Sequence, residues 1–231
     1  MAAAPARVVI TGEHRQENHC MNNPGALVLL GGGGHAAVVA EAARTCGWRV
    51  IGYLDDGPAT EAARLVGLQH LGAIHDLDRF PTGALGHAAV GDPALRRQWL
   101  DTLGLLAAPA IVHESATVSP SASLAEGSFI GPQAVVNARA KIGRGVVVNT
   151  GAIVEHDCVL EAFCHIGPGA ALGGGATVGE EATVGLNASV LRRIRIGASA
   201  TLGAGGVAVR DVPEGVTAVG IPAREFAHTS C

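Results

Sequence analysis

The stretch Ile142–Gly167, IGRGVVVNTGAIVEHDCVLEAFCHIG, decides the fold. Its aliphatic residues Ile142, Val148, Val154, Leu160 and Ile166 recur every sixth position. Working outward, the spacing holds without a slip from Val112 to Leu202, sixteen units in all. Four residues after each aliphatic comes a second recurrent site, usually small, such as Ala134, Ala152, Cys158, Cys164 and Ala170. Only Val146 and Ile194 are larger there. A period of six is neither the 3.6 of a helix nor the 2 of a simple strand. It fits a solenoid in which each hexad is one short strand and a corner, with the aliphatic residue filling the interior. Three hexads make a triangular coil of 18 residues, stacked on the next at about 4.8 Å, so sixteen hexads give about five coils.

The region before Ala110 reads differently. ALVLL (Ala26–Leu30) is a buried strand, GGGGH (Gly31–His35) a tight turn, and AAVVAEAARTCG a helix closed by Gly47. WRVIGYLDD is a second strand ending in Asp55 and Asp56, with further short strands near Leu65–Leu71 and Gly86–Val90. Asp92-Pro93 starts another helix through LRRQWLDTL, with Asp as N-cap and Pro at its first position. Strands alternating with helices predict a parallel, open, three-layered sheet of Rossmann-like character.

Composition narrows the function classes. Hydrophobic residues make up 48% of the 231, but aromatics only 3%, so the core is built from Val, Ile, Leu and Ala. A net charge of −4 with 16% charged residues points to no nucleic-acid surface. No apolar run approaches the roughly 18 residues of a membrane span, and the N-terminus lacks the apolar stretch of a signal peptide. Five cysteines with no C-x-x-C pairing fit a reducing, cytoplasmic setting. Cys158 and Cys164 occupy small inward sites and read as core residues. Residues 1–24 are polar and unlike the rest, and Met21 stands as an alternative start. The expected organisation is therefore an extension over 1–24, a Rossmann-like α/β domain over 25–108, and a solenoid over 109–231.

GGGGHAAVVAEAARTCGWRVIGYLDD, NTGAIVEHDCVLEAFCHIGPGAALGGG and the tail GAGGVAVRDVPEGVTAVGIPAR resemble bacterial sugar acetyltransferases of the hexapeptide-repeat family. In these a small nucleotide-binding domain precedes a left-handed parallel β-helix. They include N-acetyltransferases acting on nucleotide-linked 4-amino-4,6-dideoxy sugars and sialic acid O-acetyltransferases. The resemblance spans about Ala26 to Arg224. It implies a homotrimer, acetyl-CoA as co-substrate in the groove between neighbouring β-helices, and no metal. It also implies a Lys or Arg two residues after the turn histidine, where this chain has Ala37.

The resemblance places the general base at His156, within TGAIVEHDC. An imidazole that titrates near neutrality suits proton removal from a sugar ammonium. Asp157 then holds its tautomer, while Glu155 reads as a solvated acid. Gly174, one coil above His156 (156 + 18), is the candidate oxyanion donor. His165, half a coil away, is either an acetyl-CoA contact or a packing residue at a subunit boundary. Arg192, two coils above His156, and Arg193 meet CoA phosphates or form a solvated corner. Gly33, Gly34 and His35 are the expected phosphate contacts at a helix start. Asp55 and Asp56 either bind a ribose hydroxyl or base edge or cap a helix.

The expected reaction is transfer of acetyl to the 4-amino group of a UDP- or GDP-linked sugar, for glycan or surface polysaccharide synthesis. The alternative within the class is sialic acid O-acetylation. A zinc hydrase on the same fold needs a His pair about five residues apart, whereas the solenoid holds His113, His156 and His165. A non-enzymatic scaffold has no use for the nucleotide-binding half.

Overall fold

The computed structural model describes residues 25–77 and 80–226. The expected extension over residues 1–24 lies outside them.

The first unit is a four-stranded parallel sheet. Its elements are β1 (Ala26–Leu30), α1 (Gly34–Thr45), β2 (Arg49–Leu54), α2 (Glu61–Leu65), β3 (His70–Gly72), β4 (Ala84–Ala88) and α3 (Pro93–Leu103). The strand order is β3-β2-β1-β4, with every pairing parallel. Asp92 caps α3 as expected, its Oδ1 accepting the Leu95 N–H at 2.8 Å. The short α2 went unread in the sequence; Thr60 caps it by accepting the Ala63 N–H, and five residues carry too little periodicity to signal a helix.

From Ile111 the chain forms a parallel β-helix of two-residue strands. From Ile111 to Val207 the strands pair at a spacing of 18 residues, as in Val147↔His165, Ile153↔Ala171 and Lys141↔Val159, and in the last coil the spacing tightens to 16, Thr201↔Thr217. Three faces result. The first holds Ile111, Phe129, Val147 and His165, the second Thr117, Val135, Ile153 and Ala171, the third Ser123, Lys141, Val159 and Thr177. The second residue of each strand points inward, so Val136, Val148, Val154, Leu160 and Ile166 stack into one core with Ala134, Ala152, Cys158 and Cys164. From Gly127 to Gly205 a corner closes each hexad with one residue in the left-handed region, where Gly145, Gly151, Gly169 and Gly175 are free of strain. Asp157 holds the same place at φ 62; an Asp side chain tolerates that conformation better than most.

The α/β unit packs on the first face and on the corner between the third and first. Ile111, Phe129 and Val147, which point outward from the β-helix, are fully buried against α1 and the sheet. Each such side chain stabilises the junction by about 1.5–3 kcal/mol. At the corner, Leu100 and Leu103 of α3 cover Phe163, whose ring also meets the guanidinium groups of Arg97 and Arg144 at 4.8 and 5.4 Å.

Arg96 is the polar centre of this junction and is fully buried. Its guanidinium donates to five carbonyls: Gly145 at 2.6 Å, Val90 at 3.0 Å, Gly91 at 2.9 Å, Phe163 at 2.5 Å and Cys164 at 3.2 Å. No carboxylate accepts from it among the described residues. Burial pulls its proton affinity down to about 10, still far above neutrality. One side chain therefore ties α3, the end of β4 and two coils of the β-helix together.

Candidate active site

His156 stands at the corner between the second and third faces, which the α/β unit leaves uncovered. Its Nδ1 lies 2.7 Å from Asp157 Oδ2. Since a carboxylate can only accept, Nδ1 carries the proton and Nε2 keeps its lone pair. Asp157 is held well below the usual carboxylate range, first by hydrogen bonds from Arg139 and then by His156. The imidazole is thus oriented by an ionised acid and presents a free basic nitrogen to solvent.

Gly174 lies against that nitrogen. A Cβ added to Gly174 would stand 2.6 Å from His156 Nε2, so the ring packs over bare backbone. The flanking amides of Gly173 and Gly175 are spent on Val190 and His156 carbonyls. Among the described residues no acceptor takes the Gly174 N–H. The His156 Nε2 thus lies beside a residue whose N–H is unengaged.

Arg192 and Arg193 stand exposed at the same corner, two coils above, with no ion pair among the described residues. His165 lies elsewhere, on the first face at the edge of the α/β unit. Its Nδ1 donates to the Gly91 carbonyl at 2.9 Å and its Nε2 faces Asn149 Nδ2 at 3.3 Å. Both ring nitrogens thus have partners within the chain. Burial is the main reason its proton affinity is lowered. Cys158 and Cys164 are fully buried, and burial raises both thiols, which leaves them inert as nucleophiles.

The glycine turn lies at the C-terminal end of β1. Gly32 has no room for a side chain, since an added Cβ would meet the Tyr53 ring at 2.1 Å, whereas Gly33 and Gly34 border open space. No side chain caps α1 and no acid lies in its first turn, so its leading N–H groups are available to an anion. Asp55 bridges the site: Oδ2 accepts from Gly32 N and Oδ1 from Gly57 N, both at 2.8 Å. Asp56 accepts from Ile74 N at 2.9 Å. Neither caps a helix. Asp55 therefore shapes the turn, and Asp56 keeps the freer carboxylate. His70, stacked on Tyr53 at 5.0 Å, adds an aromatic edge beside them.

His35 turns inward from the start of α1. Its ring meets Phe129 edge-on at 5.5 Å, and its Nε2 is buried without a partner. Burial first, and then the nearby His165 and Arg96, lower its proton affinity to about 4. His87 of β4 is fully buried with both nitrogens unpartnered, and burial lowers it to about 3. Sequence reasoning missed Arg139, Arg96, Asn149 and His87. Of these, Arg139 alone had a signal, standing one coil before Asp157.

Comparison with known proteins follows this geometry. Residues 26–103 match the family model of the PglD N-terminal domain. The chain is 39% identical to a histidine-to-asparagine variant of perosamine N-acetyltransferase from Caulobacter crescentus, solved with CoA and GDP-perosamine. That match covers 87% of this chain and 97% of the other, with a TM-score of 0.80. The acetyltransferase domain of PglB from Neisseria gonorrhoeae, solved with acetyl coenzyme A, is 38% identical over 87% of this chain and 98% of its own, with a TM-score of 0.81. WeeI from Acinetobacter baumannii, at 22% identity, shares the fold with a TM-score of 0.77 over 87% of this chain and all of its own. No curated protein sequence matches the chain. The β-helix is thus the left-handed kind, and the chain belongs to the hexapeptide-repeat sugar acetyltransferases that carry a PglD-type N-terminal domain, acyltransferases that take their acetyl group from acetyl-CoA.

Proposed function

We propose that the protein acetylates the 4-amino group of a nucleotide-linked 4-amino-4,6-dideoxy sugar, in glycan or surface polysaccharide synthesis, with His156 as general base. The observation that carries this is the His156 ring packed with its Nε2 against the bare backbone of Gly174, whose N–H is unengaged. His156 Nε2 takes the proton from the sugar amine as its nitrogen attacks the thioester carbonyl of acetyl-CoA. The Gly174 N–H donates to the oxyanion of the tetrahedral intermediate. Collapse breaks the C–S bond, and the imidazolium returns the proton to the CoA sulfur. Asp157, already ionised, stabilises the imidazolium without taking its proton.

The backbone N–H groups of Gly33, Gly34 and His35 at the start of α1 receive the diphosphate, the His35 ring itself being turned inward onto Phe129, with Asp55 holding the turn and Asp56 facing the ribose or base. Ala37 contributes no cation there, so the helix N-terminus carries the anion. The relative solved with GDP-perosamine makes a GDP-linked acceptor the first to test, ahead of UDP. Arg192 meets the CoA phosphates and His165 lies beside the acetyl-CoA.

A homotrimer accounts for the separation of these parts. In one chain the glycine turn and His165 lie by the first face, whereas His156 lies at the opposite corner. A neighbouring copy brings the two together. No helix among the described residues is long and apolar enough to cross a membrane, and a cytoplasmic location fits nucleotide-sugar and acetyl-CoA supply.

The test is CoA release by purified protein with acetyl-CoA and a panel of GDP- and UDP-linked 4-amino-4,6-dideoxy sugars, with mass and NMR analysis of the product. An amide at C4 is expected. An ester product, or turnover only with sialic acid, would replace the proposal with O-acetylation.

A further inference from the structure

The Asp157 carboxylate serves two partners at once. Oδ2 faces His156 Nδ1 at 2.7 Å. From the other side Arg139 closes on both oxygens, Nε to Oδ1 at 2.6 Å and Nη2 to Oδ2 at 2.8 Å. Arg139 stands one coil before Asp157 and shares its left-handed corner conformation, φ 61 against 62, so the two side chains stack in one column. An ion pair this exposed adds little to stability. A two-bond guanidinium fork does, however, fix the plane of the carboxylate, which a lysine cannot do.

The other charged groups at this corner act on His156 more weakly. Glu155 Oε2 accepts the His156 backbone N–H at 3.3 Å. Arg193 lies beside Gly175, one coil above Asp157, with Arg192 next to it. Cys158, buried beneath, has its thiol raised and so adds no charge. Arg139 is the cation in direct contact.

We propose that Arg139 is a positioning residue of the acetyl transfer. It locks Asp157 in the plane that holds His156 Nε2 over Gly174, and its charge offsets that of the carboxylate, so the imidazole is not driven to hold its proton. This rests on the reading of His156 as general base. A bare carboxylate beside an imidazole favours the protonated ring, and a carboxylate already paired with a cation does so less.

The experiment compares wild type with Arg139→Met and Arg139→Lys. The readouts are the titration of the His156 ring by NMR in the free enzyme and the pH profile of kcat/KM. In Arg139→Met the His156 midpoint and the acidic limb should both rise by about half a unit or more. On the alkaline plateau kcat should fall about tenfold, with KM for acetyl-CoA unchanged. Arg139→Lys should return the midpoint towards wild type while leaving the kcat deficit, because it restores charge without the fork. A midpoint and limb that stay in place in Arg139→Met would overturn the proposal. Full turnover in His156→Asn would instead sink the general-base reading beneath it, so the two failures are distinguishable.

Discussion

In the β-helix, sequence separation is a coordinate. Residues 18 apart touch, as Arg139 does Asp157 and as Val147 pairs with His165. In the α/β unit no such rule exists: Arg96 meets Gly145 and Phe163 across 49 and 67 residues, with no period to announce it. The difference teaches that a repeat makes the side chains of a site readable along with its fold. A packed α/β junction must be seen to be known. It also separates two kinds of polar group. Those at the β-helix corner are exposed to solvent, whereas those at the junction are buried and hold two units together.

The largest effect expected from breaking this comparison lies at the junction. Arg96→Met leaves five carbonyls without their donor, each buried acceptor costing about 1–3 kcal/mol less any rescue by water. The expected loss is about 4 kcal/mol or more, read as a fall in the urea midpoint. A loss below 1 kcal/mol would mean that the two units do not depend on this tie.

Gly174→Ala tests the corner. A Cβ 2.6 Å from His156 Nε2 must displace the ring, so kcat should fall about a hundredfold, equivalent to about 2.7 kcal/mol. The melting temperature should barely move, because the displaced ring is exposed. A variant that loses stability and activity together would place Gly174 in the folding account instead.

The smallest effect per residue is an acid sensitivity of the junction. His35 and His87 are neutral in the folded chain, with proton affinities lowered to about 4 and about 3. The unfolded chain takes up protons below about 6.5, so stability is complete above that pH and declines as pH falls towards the folded values. At pH 5 each costs about 2 kcal/mol. Urea melts at pH 7 and pH 5 check this, and His87→Leu should shrink the difference by about that amount. An unchanged difference in His87→Leu would remove His87 from the account.

How far each site could be read follows from the same contrast. The six-residue period fixed strands, corners and core, including Cys158 and Cys164 as buried packing residues. The 18-residue coil alone puts Gly174 over His156. Applied once more, it would have found Arg139. In the α/β unit the cap at Asp92 and the course of α1 were legible because they are local. Asp55 was not: as a candidate ligand it looks like Asp56, and only the turn's geometry shows both its oxygens taken by Gly32 and Gly57 N–H groups. His87 gave no signal, since an imidazole within a strand says nothing of what will cover it. For His165 the sequence does not choose between ligand and packing residue; its bonds to Gly91 and Asn149 tie it into the junction.

The measurement that tests the central claim most directly is kcat/KM of His156→Asn against wild type, with acetyl-CoA affinity followed by calorimetry. The account predicts a fall of about 10²–10⁴-fold, with acetyl-CoA binding kept within a factor of about three. Turnover within a few fold of wild type would contradict it and leave His156 an ordinary corner residue.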